Sequence, residues 1–148
     1  TKVAMYLGRT RGPLLDRLDI HVEVPPVDYD ALSSAAPGES SAQVRSRVIK
    51  ARQLQQQRYK DAGIPCNARL TPALLRRFCS LTDDAAALLR AAYDKMGLSG
   101  RSYDRLLKVS RTIADLEGSE TINSDHIAEA IQFRNLDRKY WQPDVSEM

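Results

Sequence analysis

Two arginines in this chain sit where a guanidinium could meet an anion. Arg17 lies in "GPLLDRLDIHVEVP", Gly12 to Pro25, between Asp16 and Asp19. Arg101 lies in "LSGRSYDRLLKVSRTIADL", two residues after Ser99. A guanidinium is permanently charged and presents a planar fork of donors, so the chemistry open to it is to neutralise charge on a phosphate or carboxylate. Residue types alone leave a plainer role open for each. Arg17, flanked by two carboxylates, is by default a surface salt-bridge partner worth at most about 1 kcal/mol. Arg101 is followed by Arg105, Lys108 and Arg111 at spacings of four, three and three, which makes a basic helix face that water alone can satisfy.

The elements that must hold these residues differ in kind. From Leu18 the chain alternates, with Leu18, Ile20, Val22 and Val24 on one parity and Asp19, His21 and Glu23 on the other. That pattern predicts a half-buried strand ended by Pro25 and Pro26. Pro13 can open a short helical turn ahead of it, with Leu14 and Leu15 inward and Arg17 at the junction of turn and strand. No second alternation follows, so the strand needs partners from elsewhere. Residues 25–41 read as a linker, with a turn at Tyr29 to Ser34.

Beyond the linker the signals are helical. Ser40 and Gln43 have the spacing of a capping box and open a helix to about Lys60, with Val44, Val48, Ala51 and Leu54 as its apolar stripe. Arg45, Arg47, Lys50, Arg52, Arg58 and Lys60 cover its other faces, and no acidic residue interrupts them. Asp61, Gly63 and Pro65 end it. Thr71 and Pro72 start a short helix with Leu74, Leu75 and Phe78 inward. Thr82 or Asp83 starts the next, with Ala86, Leu89, Ala92 or Tyr93 and Met96 inward and Gly97 as its stop. Ser99 opens a fourth, with Leu106, Val109, Ile113 and Leu116 inward and Gly118 as its end. Asn123 or Ser124 opens a fifth through Ile127, Ala130 and Ile131. After Phe133 the pattern fades into a tail. The expected fold is mainly α: a bundle of four helices from Thr71 to Phe133, with one remnant strand near the N-terminus.

Composition narrows the function. The hydrophobic fraction is 43%, no apolar run approaches the roughly 20 residues that span a bilayer, and no signal-peptide pattern opens the chain, which reads as cytoplasmic with no membrane partner. Cys66 and Cys79 lack the spacing and the neighbouring histidines of a zinc site, so no metal site is expected. A net charge of +3 and a pI near 9.0 permit an acidic partner such as nucleic acid without requiring one. There is no phosphate loop, nucleophile elbow or Cys–His pair, and His21 and His126 read as structural or solvent-facing. Taken alone, the chain lacks the parts of an enzyme.

Four segments in order, "YLGRTRGPLLDRLDIHVEVP", "GESSAQVRSRVIKARQLQQQR", "LSGRSYDRLLKVSRTIADLEG" and "HIAEAIQFRNLDR", resemble the Mg-chelatase-like branch of the AAA+ ATPases, and within it the YifB/ComM competence-protein family. The likeness covers nearly all of Met5 to Arg138. It implies the C-terminal part of a longer, ring-forming, usually hexameric ATPase whose nucleotide lies between subunits. Arg17 in "LLDR" matches the arginine finger, and Arg101 in "SGRS" matches the second sensor, both acting on a neighbour's nucleotide. Residues 1–26 would close the ATPase core, 27–70 form a linker and insertion helix, 71–134 the helical lid, and 135–148 a tail.

The resemblance further implies that ATP and Mg²⁺ serve the parent protein, while this chain alone binds neither and is inactive. An ATP-driven motor on DNA, of the branch-migration type, is the leading expectation. A chelatase subunit that drives Mg²⁺ into a porphyrin uses the same parts. A third reading is a free-standing nucleic-acid module using Arg45, Arg47, Lys50, Arg52 and Arg58; those residues could equally meet another subunit or water.

Overall fold

The computed structural model describes residues 17–27, Tyr29, Ser33 and 38–134. The turn expected at residues 13–16 and the tail 135–148 lie outside the described residues, as does most of the turn expected at 29–34. From residue 38 to 134 five α-helices follow one another: α1 (Ser41–Arg58), α2 (Pro72–Phe78), α3 (Asp83–Met96), α4 (Gly100–Glu117) and α5 (Ser124–Gln132). Two short 3₁₀ turns, Lys60–Ala62 and Asn67–Arg69, link α1 to α2.

The caps set these boundaries. Ser40 and Gln43 form the reciprocal capping box, with the Ser40 N–H donating to Gln43 Oε1 at 2.9 Å. Thr71, Thr82 and Ser99 each accept a hydrogen bond from an otherwise unsatisfied amide in the first turn that follows. Gly97 and Gly118 end α3 and α4 at φ of 61° and 77°, a left-handed conformation that a Cβ would strain. At α5 the cap is a side-chain pair: Asn123 Oδ1 accepts from the His126 N–H at 3.1 Å, and His126 Nδ1 accepts from the Asn123 N–H at 3.0 Å. With Nδ1 accepting, the imidazole proton sits on Nε2, facing Glu117 Oε2 at 2.8 Å. His126 is fully buried and structural.

Helix α4 is the centre of the body, packed by α3-side helix α5, by α2 and by α1. Leu106, Val109, Ile113 and Ala114 join Leu89, Ile122 and Ile127 in one core that also takes Tyr59 and Leu70 from the α1–α2 connection. The loops before α3 and α5 are stitched by a parallel bridge between Leu81 and Ile122, with the Thr82 N–H donating to Ile122 O at 3.0 Å.

Because α4 is covered on several sides, a single apolar stripe does not describe it. Arg111, expected on a basic outer face, is fully buried. Its Nε donates to Asp115 Oδ1 at 3.1 Å, its Nη1 to Glu120 O at 2.7 Å, and its Nη2 to Ser119 O, so it closes the end of its own helix. Arg58, at the end of α1, donates Nη2 to Asp115 Oδ1 at 2.6 Å and Nη1 to Asp115 Oδ2 at 3.0 Å. Asn67 Nδ2 adds a bond to Asp115 Oδ2 at 2.9 Å, and Tyr59 donates its hydroxyl to Asn67 Oδ1 at 2.5 Å. Burial lowers the Arg111 pKa, only partly offset by Asp115. For Arg58 burial also works against the charge, but the Asp115 bonds, with Tyr59, hold its pKa above the usual value.

Other expectations shift in detail. Leu116 is 42% exposed, on the border of an open groove beside Val48 and Ala51 of α1. Ala85, not Ala86, faces the core from α3. On α1 only Ala51 and Gln55 are buried; Val44 and Val48 lie in the stretch 41–50 that is exposed throughout, and Leu54 is exposed as well. Leu18, Ile20, Val22 and Val24 are likewise exposed and residues 18–27 form no strand, whereas His21, from the polar parity, is buried. The inversion has a physical cause: a strand's inner face needs a sheet, and none lies among the described residues.

Three outcomes follow from this packing. Leu106→Ala should cost about 2–5 kcal/mol in urea unfolding, and Leu116→Ala less than about 1 kcal/mol; equal losses would contradict the facing of α4. Asp115→Ala should cost about 3–5 kcal/mol, since it strands the buried Arg111 charge; a loss under about 1 kcal/mol in the same assay would show that the pair is dispensable. Burial pushes the Cys79 thiol up to about 11. The unfolded thiol ionises near 8.5, so stability is fully present below that pH and is lost as pH rises from there through about 11, by on the order of 3 kcal/mol. Urea midpoints at pH 8 and pH 11 should therefore converge in Cys79→Ala relative to the parent chain, and an unchanged gap would refute the assignment.

Candidate functional site

Arg17 stands exposed in a turn at the start of the extended segment 18–27. Arg101 is exposed in the first turn of α4. Ser99 Oγ accepts the Ser102 N–H at 3.1 Å, and the first turn of α4 carries no acidic residue. The positive end of the helix dipole therefore adds to the guanidinium rather than being cancelled, an arrangement that favours an anion.

The other three cations expected on the Arg101 face are individually engaged. Arg105 pairs with Asp19, Lys108 Nζ donates to Ala68 O at 3.2 Å, and Arg111 lies inside the body. The basic face thus resolves into one exposed arginine at the N-terminal turn and three tethered side chains. Arg17 and Arg101 belong to segments held together: Arg134, buried at 1% exposure, donates Nη1 to Leu18 O at 3.0 Å and Nη2 to Ser102 Oγ at 3.3 Å. Sequence reasoning left Arg134 unread, since it lies beyond the apolar periodicity of α5.

On α1, Arg45, Lys50 and Arg52 are exposed. Arg47 is exposed too and forms a two-pronged pair with Glu39, Nη2 to Oε2 at 3.0 Å; the hydrogen bond to Glu39 raises its pKa. Arg58 is turned into the body by Asp115, which removes it from the outer basic surface. A shallow groove of about 340 Å³ runs between α1 and the Cys66–Ala68 turn, bordered by Val48, Ala51, Thr112 and Leu116. Thr112 and Arg101 are eleven residues apart on α4, about 16 Å at 1.5 Å per residue, so the groove and the arginines occupy different ends. Among the described residues no group of three or more His, Cys, Asp or Glu side chains could hold a metal ion, and no helix is long and apolar enough to cross a membrane.

The sequence bears out the resemblance carried by its four segments. The family model for the C-terminal region of magnesium chelatase subunit ChlI matches residues 38–134, from the cap of α1 to Arg134. The chain is 45% identical over 138 residues to the competence protein ComM of Haemophilus influenzae, covering 93% of this chain and 26% of that protein. It is 42% identical over 134 residues to the uncharacterized protein YifB of Escherichia coli, covering 90% of this chain and 26% of that protein. An uncharacterized protein of Mycobacterium tuberculosis is 43% identical over 129 residues, with 87% of this chain and 25% of that protein covered. The chain thus spans about a quarter of the length of the curated relatives it matches. From α1 to the end of α5, and through relatives that extend the match toward both termini, the chain belongs to the magnesium chelatase ChlI C-terminal family, in its YifB/ComM branch.

Proposed function

We propose that this chain is the lid-bearing part of an AAA+ ATPase that assembles as a ring, hexameric in this reading, and works as an ATP-driven motor on DNA. In this reading residues 1–26 end the ATPase core, 27–70 are a linker and the long insertion helix, 71–134 the lid, and 135–148 a tail. Arg17 is an arginine finger offered to a neighbouring subunit's nucleotide, and Arg101 is the second sensor. The observation that carries the nucleotide reading is the exposed Arg101 in an acid-free first turn of α4, while its neighbouring cations are tethered.

ATP with Mg²⁺, when bound in the whole protein, supplies the phosphoryl group to be transferred. What this chain contributes is charge. A guanidinium placed against the γ-phosphate stabilises charge that grows in the transition state, and such a finger is worth on the order of 10³ to 10⁵ in rate. Lysine, a point charge without the planar fork, would replace it poorly. Offering the arginine from a neighbour makes turnover conditional on assembly.

The DNA reading is supported by identity to a protein named for competence, and the family's own name supports the second reading, a chelatase subunit driving Mg²⁺ into a porphyrin. DNA-stimulated ATP turnover by the whole protein would separate the two. Arg17→Ala in the whole protein should lower ATP turnover about a hundredfold or more, with ring assembly intact by sedimentation and nucleotide binding unchanged. Near-normal turnover would return Arg17 to a surface ion pair and leave the motor reading to Arg101.

A further inference from the structure

The segment that begins with Arg17 is fastened to the helical body at three points. Arg134 bridges Leu18 O and Ser102 Oγ, at 3.0 and 3.3 Å. The His21 N–H donates to Phe133 O at 2.7 Å, in the residue just before Arg134. Asp19 pairs with Arg105, one turn along α4 from Arg101. Four residues of the body make these attachments: Ser102 and Arg105 follow Arg101 within about one turn of α4, and Phe133 and Arg134 follow the last turn of α5.

A buried guanidinium is an expensive way to fill space, and an apolar side chain of similar volume would often be at least as stabilising. Only a forked donor, however, can hold two acceptors on two different segments at once. Here one prong takes a backbone carbonyl beside Arg17 and the other a hydroxyl beside Arg101. The backbone carbonyl matters because it fixes the main chain next to Arg17 whatever the side chains around it do.

We infer that Arg134, together with the Asp19–Arg105 pair, is a positioning residue that sets Arg17 relative to Arg101, so that the two arginines move as one unit with α4. The catalytic consequence rests on the reading of Arg17 as a finger; the clamp itself is a matter of geometry. That consequence is large, because a reacting-site displacement of about 1 Å can cost about a hundredfold in rate. A lid that turns with its α4 helix would carry both guanidinium groups toward or away from the same nucleotide.

Two measurements test this. In the full chain, hydrogen exchange should find the His21 amide protected, and Arg134→Met should speed its exchange at least about tenfold while amides in the middle of α4 and α5 keep their protection. Unchanged exchange at His21 would overturn the clamp. Should Arg134→Met also loosen α4 and α5, the exposed ion pair decides: in the whole protein, Asp19→Arg or Arg105→Asp should each lower kcat about tenfold with the KM for ATP unchanged, and the two together should restore kcat to within about twofold. Restoration by exchanged charges is not expected of residues that only add stability. Wild-type kcat in both single variants would overturn the inference. Arg17→Ala, run alongside, separates the two ideas: its silence beside a loosened His21 sinks the finger reading, whereas its inactivity beside silent clamp variants sinks this one.

Discussion

The Asp115 carboxylate is the interaction on which the rest of the body depends. Its two oxygens accept four hydrogen bonds, two from Arg58, one from Arg111 and one from Asn67. A buried carboxylate is tolerable only when its lone pairs are met, and these are. The group also serves two guanidinium groups at once, since Arg111 is fully enclosed and Arg58 is partly buried. Three separate pieces of chain meet there: the end of α1, the turn around Asn67 and the last turn of α4. Remove the carboxylate, and the end of α1 loses the Arg58 attachment while the buried Arg111 guanidinium loses its counter-charge.

That junction explains how a helix with so little apolar surface joins the body. Only Ala51 and Gln55 of α1 are buried, so hydrophobic area alone gives it a weak hold. Polar contacts supply the rest: Gln55 Oε1 accepts the Asn67 N–H at 3.3 Å, Tyr59 reaches Asn67, and Arg58 reaches Asp115. Such bonds are directional, and they fix the angle and register of α1 more closely than a greasy seam would. Helix α4 then receives fixed attachments at both ends, α1 near Asp115 and the Arg17 segment near Ser102, about 20 Å apart along thirteen residues. Between them lie Leu106, Val109 and Ile113, which pack α4 into the apolar core.

The sequence made the helices readable because caps are local. Ser40 with Gln43, Thr71 with Pro72, Ser99, Gly97, Gly118 and Asn123 act through residues within one turn, and each marks a boundary that the structure keeps. Facing was harder wherever a helix is covered on more than one side. Arg111 falls by its spacing on the same side as Arg101, Arg105 and Lys108, and nothing local says that the end of α1 will close over it and Asp115. Arg134 is a sharper case, because its partners are 116 and 32 residues away. The strand pattern at Leu18 to Val24 misled for the opposite reason: alternation reports what a segment can pack against, and the sheet it would pack against is not among the described residues. Arg17 and Arg101 were legible as positions, whereas their joint attachment to α4 was not.

The arginines of this chain divide by what already holds their donors. Arg58, Arg111 and Arg134 spend theirs inside the molecule, on a carboxylate, on helix-end carbonyls and on a main-chain oxygen, and each thereby fixes one segment against another. Arg105 and Arg47 are committed to acidic neighbours at the surface. Arg101 stands apart by position rather than by residue type: its helix turn offers no carboxylate, so the dipole and the guanidinium act in the same direction. A residue meant to meet charge on another molecule must keep its donors available, yet its backbone must not wander. Arg134 ties the start of α4 to the Leu18 main chain through Ser102, and Arg111 with the partly exposed Arg58 engages Asp115 near its other end, so the helix that carries Arg101 is held at both ends.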